Sequence, residues 1–265
     1  MKKLRIFSIV LLFVSIALFT IFQMYSKVVR DNNPPVVTCE TEELTVSVEA
    51  KAEELFKGVT AKDKRSGDVT DTLVIEEMSD FTEEGTRIIT YAAVDDSKNV
   101  GRCERVLKYT DYEAPRFGMK DSLCFRMGAN VNIFDMITAE SSLDGDLSAN
   151  IKYALDKVIN TMEEGSYPIE FRVMDSGGKT VYLNTEIEIV GNELANIDVT
   201  LKDYLVYVKK GSDFDAAQYY QGADREGELT IKSKVDTDVP GTYYVDYIVK
   251  SGSIGGKSRL IVVVE

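Results

Sequence analysis

Two apolar patterns divide the chain. From Ile6 to Tyr25 apolar residues run on without a charge, and the only polar groups are Ser8, Ser15, Thr20, Gln23 and the tip of Tyr25. Twenty residues at about 1.5 Å each predict a helix of about 30 Å, the thickness of a bilayer's hydrocarbon core. From Pro34 onward apolar and polar positions alternate with period two, which predicts strands. In the clearest one, Ile89, Tyr91 and Ala93 share one face and Thr90 and Ala92 the other. Ile169, Phe171 and Val173 repeat the apolar face against Glu170 and Arg172, and Val245, Tyr247 and Val249 repeat it again. One dry face and one wet face predict antiparallel sheets. Further strands are expected at Leu44–Val48, Leu73–Ile75, Glu104–Tyr109, Thr180–Ile189, Tyr204–Val208 and Ser258–Val264. Only Glu49–Phe56 and Phe134–Ile137 read as helical or irregular crossings.

The strand pattern is a repeat. Gly85–Asp95 returns as Gly165–Asp175 and again as Gly241–Ser251, the glycines standing 80 and then 76 residues apart. A period of that size predicts an array of small domains rather than one large core. Asp31-Asn-Asn-Pro-Pro35, Asp111–Pro115 and Gly191–Asn196 read as the joints. The expected division is a cytoplasmic stub and anchor over 1–30, then modules over 31–112, 113–191 and 192–265. The joints are short, so neighbouring modules are expected to touch. The fold class is all-β: three tandem antiparallel β-sandwiches after an N-terminal transmembrane helix.

Charge and composition narrow the function. The formal net charge is −13, but residues 1–30 hold five basic side chains and no acid. The remaining 26 basic and 44 acidic side chains leave a body at −18, which repels nucleic acid. Lys2, Lys3 and Arg5 ahead of the apolar run predict a cytoplasmic N-terminus, with residues 31–265 outside. The rival reading is a cleaved signal peptide ending near Ser15 and Ala17. A cut there would leave Leu18–Met24 exposed, so a signal anchor is preferred. The chain has no histidine and no tryptophan. Ser–His and Cys–His nucleophiles are therefore excluded, together with the commonest metal ligand and the best sugar-stacking ring. Glu83-Glu84 and Glu163-Glu164 are adjacent pairs whose side chains diverge, unlike the opposed carboxylates of glycosidases. Gly252–Gly256 reads as a hairpin, not a phosphate loop. No enzyme is expected.

A second landmark recurs with the first. Thr60–Thr70 aligns with Thr138–Ser148, and a worn copy runs from Gly222 to Thr230. The Pro34-Pro35 start, the Gly67-Asp68-Val69-Thr70 stretch and the Gly85…Tyr91…Asp95…Asn99 strand together resemble bacterial surface immunoglobulin-like repeats. These are the HYR-like modules and the Ig-like domain of Cry22-type pesticidal crystal proteins. The resemblance covers 34–265 and is weakest in the third copy, where Ser251 stands for Asp95. It implies Ig-like sandwiches that serve as extracellular spacer or adhesion modules, without catalysis and without transfer of toxicity. It also implies a bridge between Cys39 and Cys103, whose positions look like those of the paired cysteines of HYR modules; two buried thiols are the other reading. Cys124 has no partner in its own module and reads as a core thiol, an intermolecular bridge being the alternative.

Two constellations remain. Asp63, Asp68 and Asp95, with the parallel set Asp144, Asp146 and Asp175, place carboxylates on neighbouring loops where calcium is the one cofactor left open. Asx-type turns with adjacent glycines explain the same residues and are preferred. Tyr219, Tyr220 and Tyr244 cluster in the third copy. By alternation Tyr244 and at least one of Tyr219 or Tyr220 should be exposed, which would offer a contact patch for an unknown extracellular protein or glycan, but core filling and strand propensity are the preferred reading. The function expected is a membrane-anchored bacterial surface protein with a non-catalytic stalk for adhesion, presentation or envelope scaffolding. The alternative is a ligand-binding accessory subunit of an envelope polysaccharide or transport system, its anchor pairing through Ser8 and Ser15.

Overall fold

The computed structural model describes residues 2–29 and 31–265, with side chains from Phe7 to Tyr25 and from Asp31 onward. The side chains of Lys2, Lys3, Arg5 and Ile6, and residue Arg30, lie outside the described residues. Two compact units divide the chain, Met1–Thr110 and Asp111–Glu265. The joint expected near Thr110 separates them, whereas the one at Gly191–Asn196 lies inside the second unit.

In the first unit, helix α1 (Lys2–Val29) contains Phe7–Tyr25, a stretch long and apolar enough to cross a membrane and not buried against the protein. Seven strands follow: β1 (Val36–Cys39), β2 (Glu43–Val46), β3 (Val59–Asp63), β4 (Gly67–Asp68), β5 (Val74–Met78), β6 (Thr86–Val94) and β7 (Val100–Tyr109). They form two sheets, β1-β3-β4 and β2-β7-β6-β5. Ile89, Tyr91, Ala93 and Leu107 are wholly buried between them, so the period-two face points inward as expected. The crossing over 49–56 keeps a single helical turn, α2 (Ala52–Leu55). It is pinned from the core: Arg105, itself buried, donates to the carbonyls of Leu55 and Lys57 and to Tyr91 Oη.

In the second unit the same order runs once in full and once without the short fourth strand. The second repeat holds β8 (Arg116–Met119), β9 (Cys124–Arg126), β10 (Ile137–Ser141), β11 (Gly145–Asp146), β12 (Lys152–Leu155), β13 (Gly165–Met174) and β14 (Thr180–Val190). Its sheets are β11-β10-β8 and β12-β13-β14-β9. The third repeat holds β15 (Val199–Leu201), β16 (Leu205–Val208), β17 (Tyr220–Ala223), β18 (Glu228–Ser233), β19 (Gly241–Ser251) and β20 (Ile254–Val264), in sheets β15-β17 and β16-β20-β19-β18.

The sheets are not purely antiparallel. β2 runs parallel to β7, β9 to β14 and β16 to β20. In each repeat the chain starts in the small sheet, crosses over, and lays its second strand beside the last. Glycine is required at two close approaches. A Cβ on Gly101 would stand 1.8 Å from the Pro35 carbonyl oxygen, and one on Gly256 1.8 Å from that of Ile197.

The third repeat departs from the one-wet-face pattern. Of the outward residues of β19, Tyr244, Asp246 and Ile248 are shielded from water and Lys250 is exposed. Tyr244 packs on the second repeat. Ile261 belongs to the second repeat's apolar cluster, and Leu205, Tyr244 and Val263 pack against it. Charges complete the contact. Arg259 reaches Glu186 at 2.6 Å, Glu188 at 2.6 Å and Asp246 at 2.6 Å. Lys257 reaches Glu188 at 2.7 Å and Asp246 at 2.9 Å. Burial opposes the Asp246 carboxylate, but the hydrogen bonds from Arg259 and Lys257 outweigh it and hold its pKa below the ordinary value. Removing one partner of such a largely buried network leaves the others without their counter-charge. Arg259→Ala is expected to destabilise the second unit by about 3–5 kcal/mol, read as a lower Tm in circular dichroism melts.

Candidate functional site

In the first unit Cys39 and Cys103 are joined by a disulfide that spans 64 residues of sequence. Cys39 lies in β1, opposite Val59, and Cys103 in β7, opposite Tyr91, so the bridge links the small sheet to the large one. Cys124 is a free thiol beside Glu188, and burial, then that carboxylate, push its pKa up to about 12.

Three carboxylates gather in the same unit. Oxygens of Asp31, Asp63 and Asp95 all lie within 4.8 Å of one another, and Asp63 and Asp95 are 7% and 5% exposed. Each is also tied into the backbone. Asp63 Oδ1 accepts from the Ser66 and Arg65 amides, which lowers its pKa. Asp95 accepts from the Asn99 amide and from Asn99 Nδ2. The same Nδ2 donates to the carbonyls of Asp31 and Asn33, drawing the joint onto the loop. Asp31 Oδ1 accepts from both nitrogens of Asn33. The cluster combines the Asx-turn role with a hard, oxygen-only donor set of the kind calcium takes.

The other expected aspartates are not brought together. Asp68 and Asp146 are exposed and accept from the Thr70 and Ser148 amides at 3.0 and 2.8 Å. Hydrogen bonds from those two residues lower both pKa values. Asp144 accepts from the Ser176 amide, and Asp175 from the Gly177 and Lys179 amides and from Tyr112 Oη. Ser141 stands where the first repeat has Asp63, so the second repeat lacks the three-carboxylate arrangement. Asp31 was readable in sequence: Asp31-x-x-x-Pro35 recurs as Asp111-x-x-x-Pro115.

The tyrosine patch is dispersed. Tyr219 stacks on Phe214 and Tyr220 on Tyr247, both half-buried against the third repeat's core. Tyr244 packs on the second repeat with the Arg259 guanidinium 4.8 Å from its ring centre. The exposed aromatic rings of the second unit are instead Phe134, Tyr153 and Tyr182, all in the second repeat.

With cysteines and carboxylates placed, the comparison with known families is direct. Residues 30–109 match the HYR domain. The disulfide and the three carboxylates all fall within this HYR region. The chain is 24% identical over 169 residues to an uncharacterized 81.3 kDa protein of Acholeplasma phage L2, a match covering 62% of this chain and 22% of that protein. It is 26% identical over 206 residues to the pesticidal crystal protein Cry22Aa of Bacillus thuringiensis, covering 71% and 27%. The chain thus spans about a quarter of the length of these relatives. Among solved structures, human CDH23 EC21-23 is similar at a TM-score of 0.23 and 11% identity, covering 87% of this chain and 100% of that one. A CBM51-2 structure with GlcNAc and INT domains from Clostridium perfringens ZmpB is similar at 0.24 and 14%, covering 87% and 42%.

Two outcomes are expected for the HYR region. Replacing both Cys39 and Cys103 by alanine removes the loop closure and costs about 4 kcal/mol, measured by denaturant unfolding. The second concerns pH. A carboxylate whose folded pKa is lowered stabilises the fold above the unfolded value near 4, and that contribution is lost as pH falls through the folded pKa. Asp63→Ala should therefore lower the Tm clearly at pH 7 and much less at pH 2.

Proposed function

We propose that the chain is a single-pass bacterial surface protein. Its N-terminal helix is a signal anchor, and residues 31–265 are a non-catalytic ectodomain for adhesion, presentation or envelope scaffolding. One observation carries this reading: an unburied apolar helix, Phe7–Tyr25, is followed within a few residues by a disulfide-bonded HYR domain. Disulfides persist on the oxidising side of a membrane, so the bridge and the anchor call for the same topology. The basic residues before the helix favour a cytoplasmic N-terminus. In this reading the three repeats are three Ig-like modules. The first is a bridged module next to the membrane, and the second and third act as one stiff piece through the Arg259–Glu186 and Lys257–Glu188 contacts.

The non-catalytic role follows from side-chain chemistry. The chain has no histidine, and the carboxylates that cluster, Asp63, Asp175 and Glu188 among them, are engaged in turns and ion pairs. The Cys124 thiol is held protonated at neutral pH, unlike a nucleophile. Calcium at Asp31, Asp63 and Asp95 would stiffen the membrane-proximal module in this scheme without adding a reaction.

The test is topology. In bacterial cells expressing the full chain, proteinase added outside should remove residues 31–265 while carbonate washing leaves the intact chain in the membrane. Mass should shift on reduction and thiol alkylation by two cysteines beyond Cys124. Protection from external protease, or release of the ectodomain into the medium, would overturn the anchored-surface reading.

A further inference from the structure

A groove of about 530 Å³ opens on the outer face of the second repeat's large sheet, where β12, β13 and β14 run side by side. The register sets Lys152 opposite Arg172, and Arg172 opposite Tyr182. Three side chains therefore form one row across three strands, with opposed Cβ atoms about 5 Å apart. Two cations directly opposed repel each other. Both are exposed and neither makes an ion pair among the described residues. No acidic residue lines the groove, whose remaining walls include Asn150, Met174 and Thr180. Glu170, on the next row, lines a separate depression. Tyr182 is 54% exposed, which leaves it open to a ligand.

In the other two repeats this row is neutralised from within the chain. In the first repeat it reads Val74, Ala92 and Arg102, and Glu76 takes the Arg102 guanidinium at 2.5 and 2.6 Å. In the third it reads Thr230, Ile248 and Lys257, and Glu188 and Asp246 take the ammonium. Elsewhere the chain's own carboxylates neutralise the single cation of the row. Only the second repeat leaves two cations uncompensated, on a body that carries −18 overall.

We propose that this row binds an acidic saccharide. A sugar carboxylate lies between the Lys152 ammonium and the Arg172 guanidinium, whose planar fork suits it. The apolar face of the pyranose ring rests on Tyr182, and Asn150 and Thr180 offer hydrogen bonds to its hydroxyls. The groove has the volume of a small-ligand site, so it holds a few sugar units of a longer polymer. A free aromatic face beside the cations favours a sugar over an acidic peptide, which needs the charges alone. This names the contact partner of the ectodomain and rests on the surface reading only for access to such polymers.

The test uses the full chain in a non-ionic detergent, titrated by calorimetry with trigalacturonate, maltotriose and a hexaglutamate peptide. Trigalacturonate should bind, maltotriose at least tenfold more weakly, and hexaglutamate no better than maltotriose. Arg172→Gln, Lys152→Gln and Tyr182→Ala should each weaken trigalacturonate roughly tenfold, as loss of one strong contact does. Lys250→Gln, an exposed cation of the third repeat, should change nothing. Raising the salt should weaken binding. These substitutions are exposed, and unchanged thermal melts confirm that the fold survives them. No binding, equal binding of hexaglutamate, or retention of affinity in the Arg172→Gln and Tyr182→Ala variants overturns the proposal. A chain shown to be intracellular that still binds trigalacturonate removes the surface reading and leaves the site. A surface chain that fails to bind does the reverse.

Discussion

The organisation of the second unit depends on the buried meeting of Lys257 and Arg259 with Glu186, Glu188 and Asp246. A sandwich normally leaves the outer face of each sheet to water, and a bare β19–β20 face would do the same. Here Tyr244, Ile261 and Val263 pack on the second repeat, and the two cations go in with them. Burying them alone would be prohibitive, so three carboxylates accompany them, one from the third repeat itself and two from β14. Such networks add little stability beyond what apolar packing would supply, while loss of one member is costly.

β14 shows how one strand divides its outer face. Glu186 and Glu188, at one end, dock the third repeat; Tyr182, at the other, remains in water beside Arg172. The docking involves one end of the strand and leaves the other end in water.

The first unit is fastened differently. Its bridge joins the small sheet to the large one, and Asn99 draws the incoming joint onto Asp95. The three aspartates serve first as turn organisers, since each already accepts backbone amides. The second repeat keeps the turns but loses the cluster, because Ser141 replaces Asp63 and Tyr112 satisfies Asp175. Shared topology thus does not carry shared chemistry from one repeat to the next.

Local pattern was enough to place the long strands, the inward faces of Ile89, Phe171 and Tyr247, and the apolar helix, because period and charge are properties of neighbouring residues. Short strands such as β9, β12 and β15 escaped, since over three or four residues alternation shows only where it is strong. The parallel pairs escaped because the partner of β2, β9 or β16 lies dozens of residues away. Tyr244 was misplaced for a related reason: alternation says which side of a strand a residue takes, never whether another domain will cover that side. The sequence by itself determined the repeat, its strands and its lack of histidine. Only the tertiary structure decided which faces stay wet, which carboxylates meet, and where two cations and a tyrosine line up, because each depends on register and docking between segments far apart in the chain.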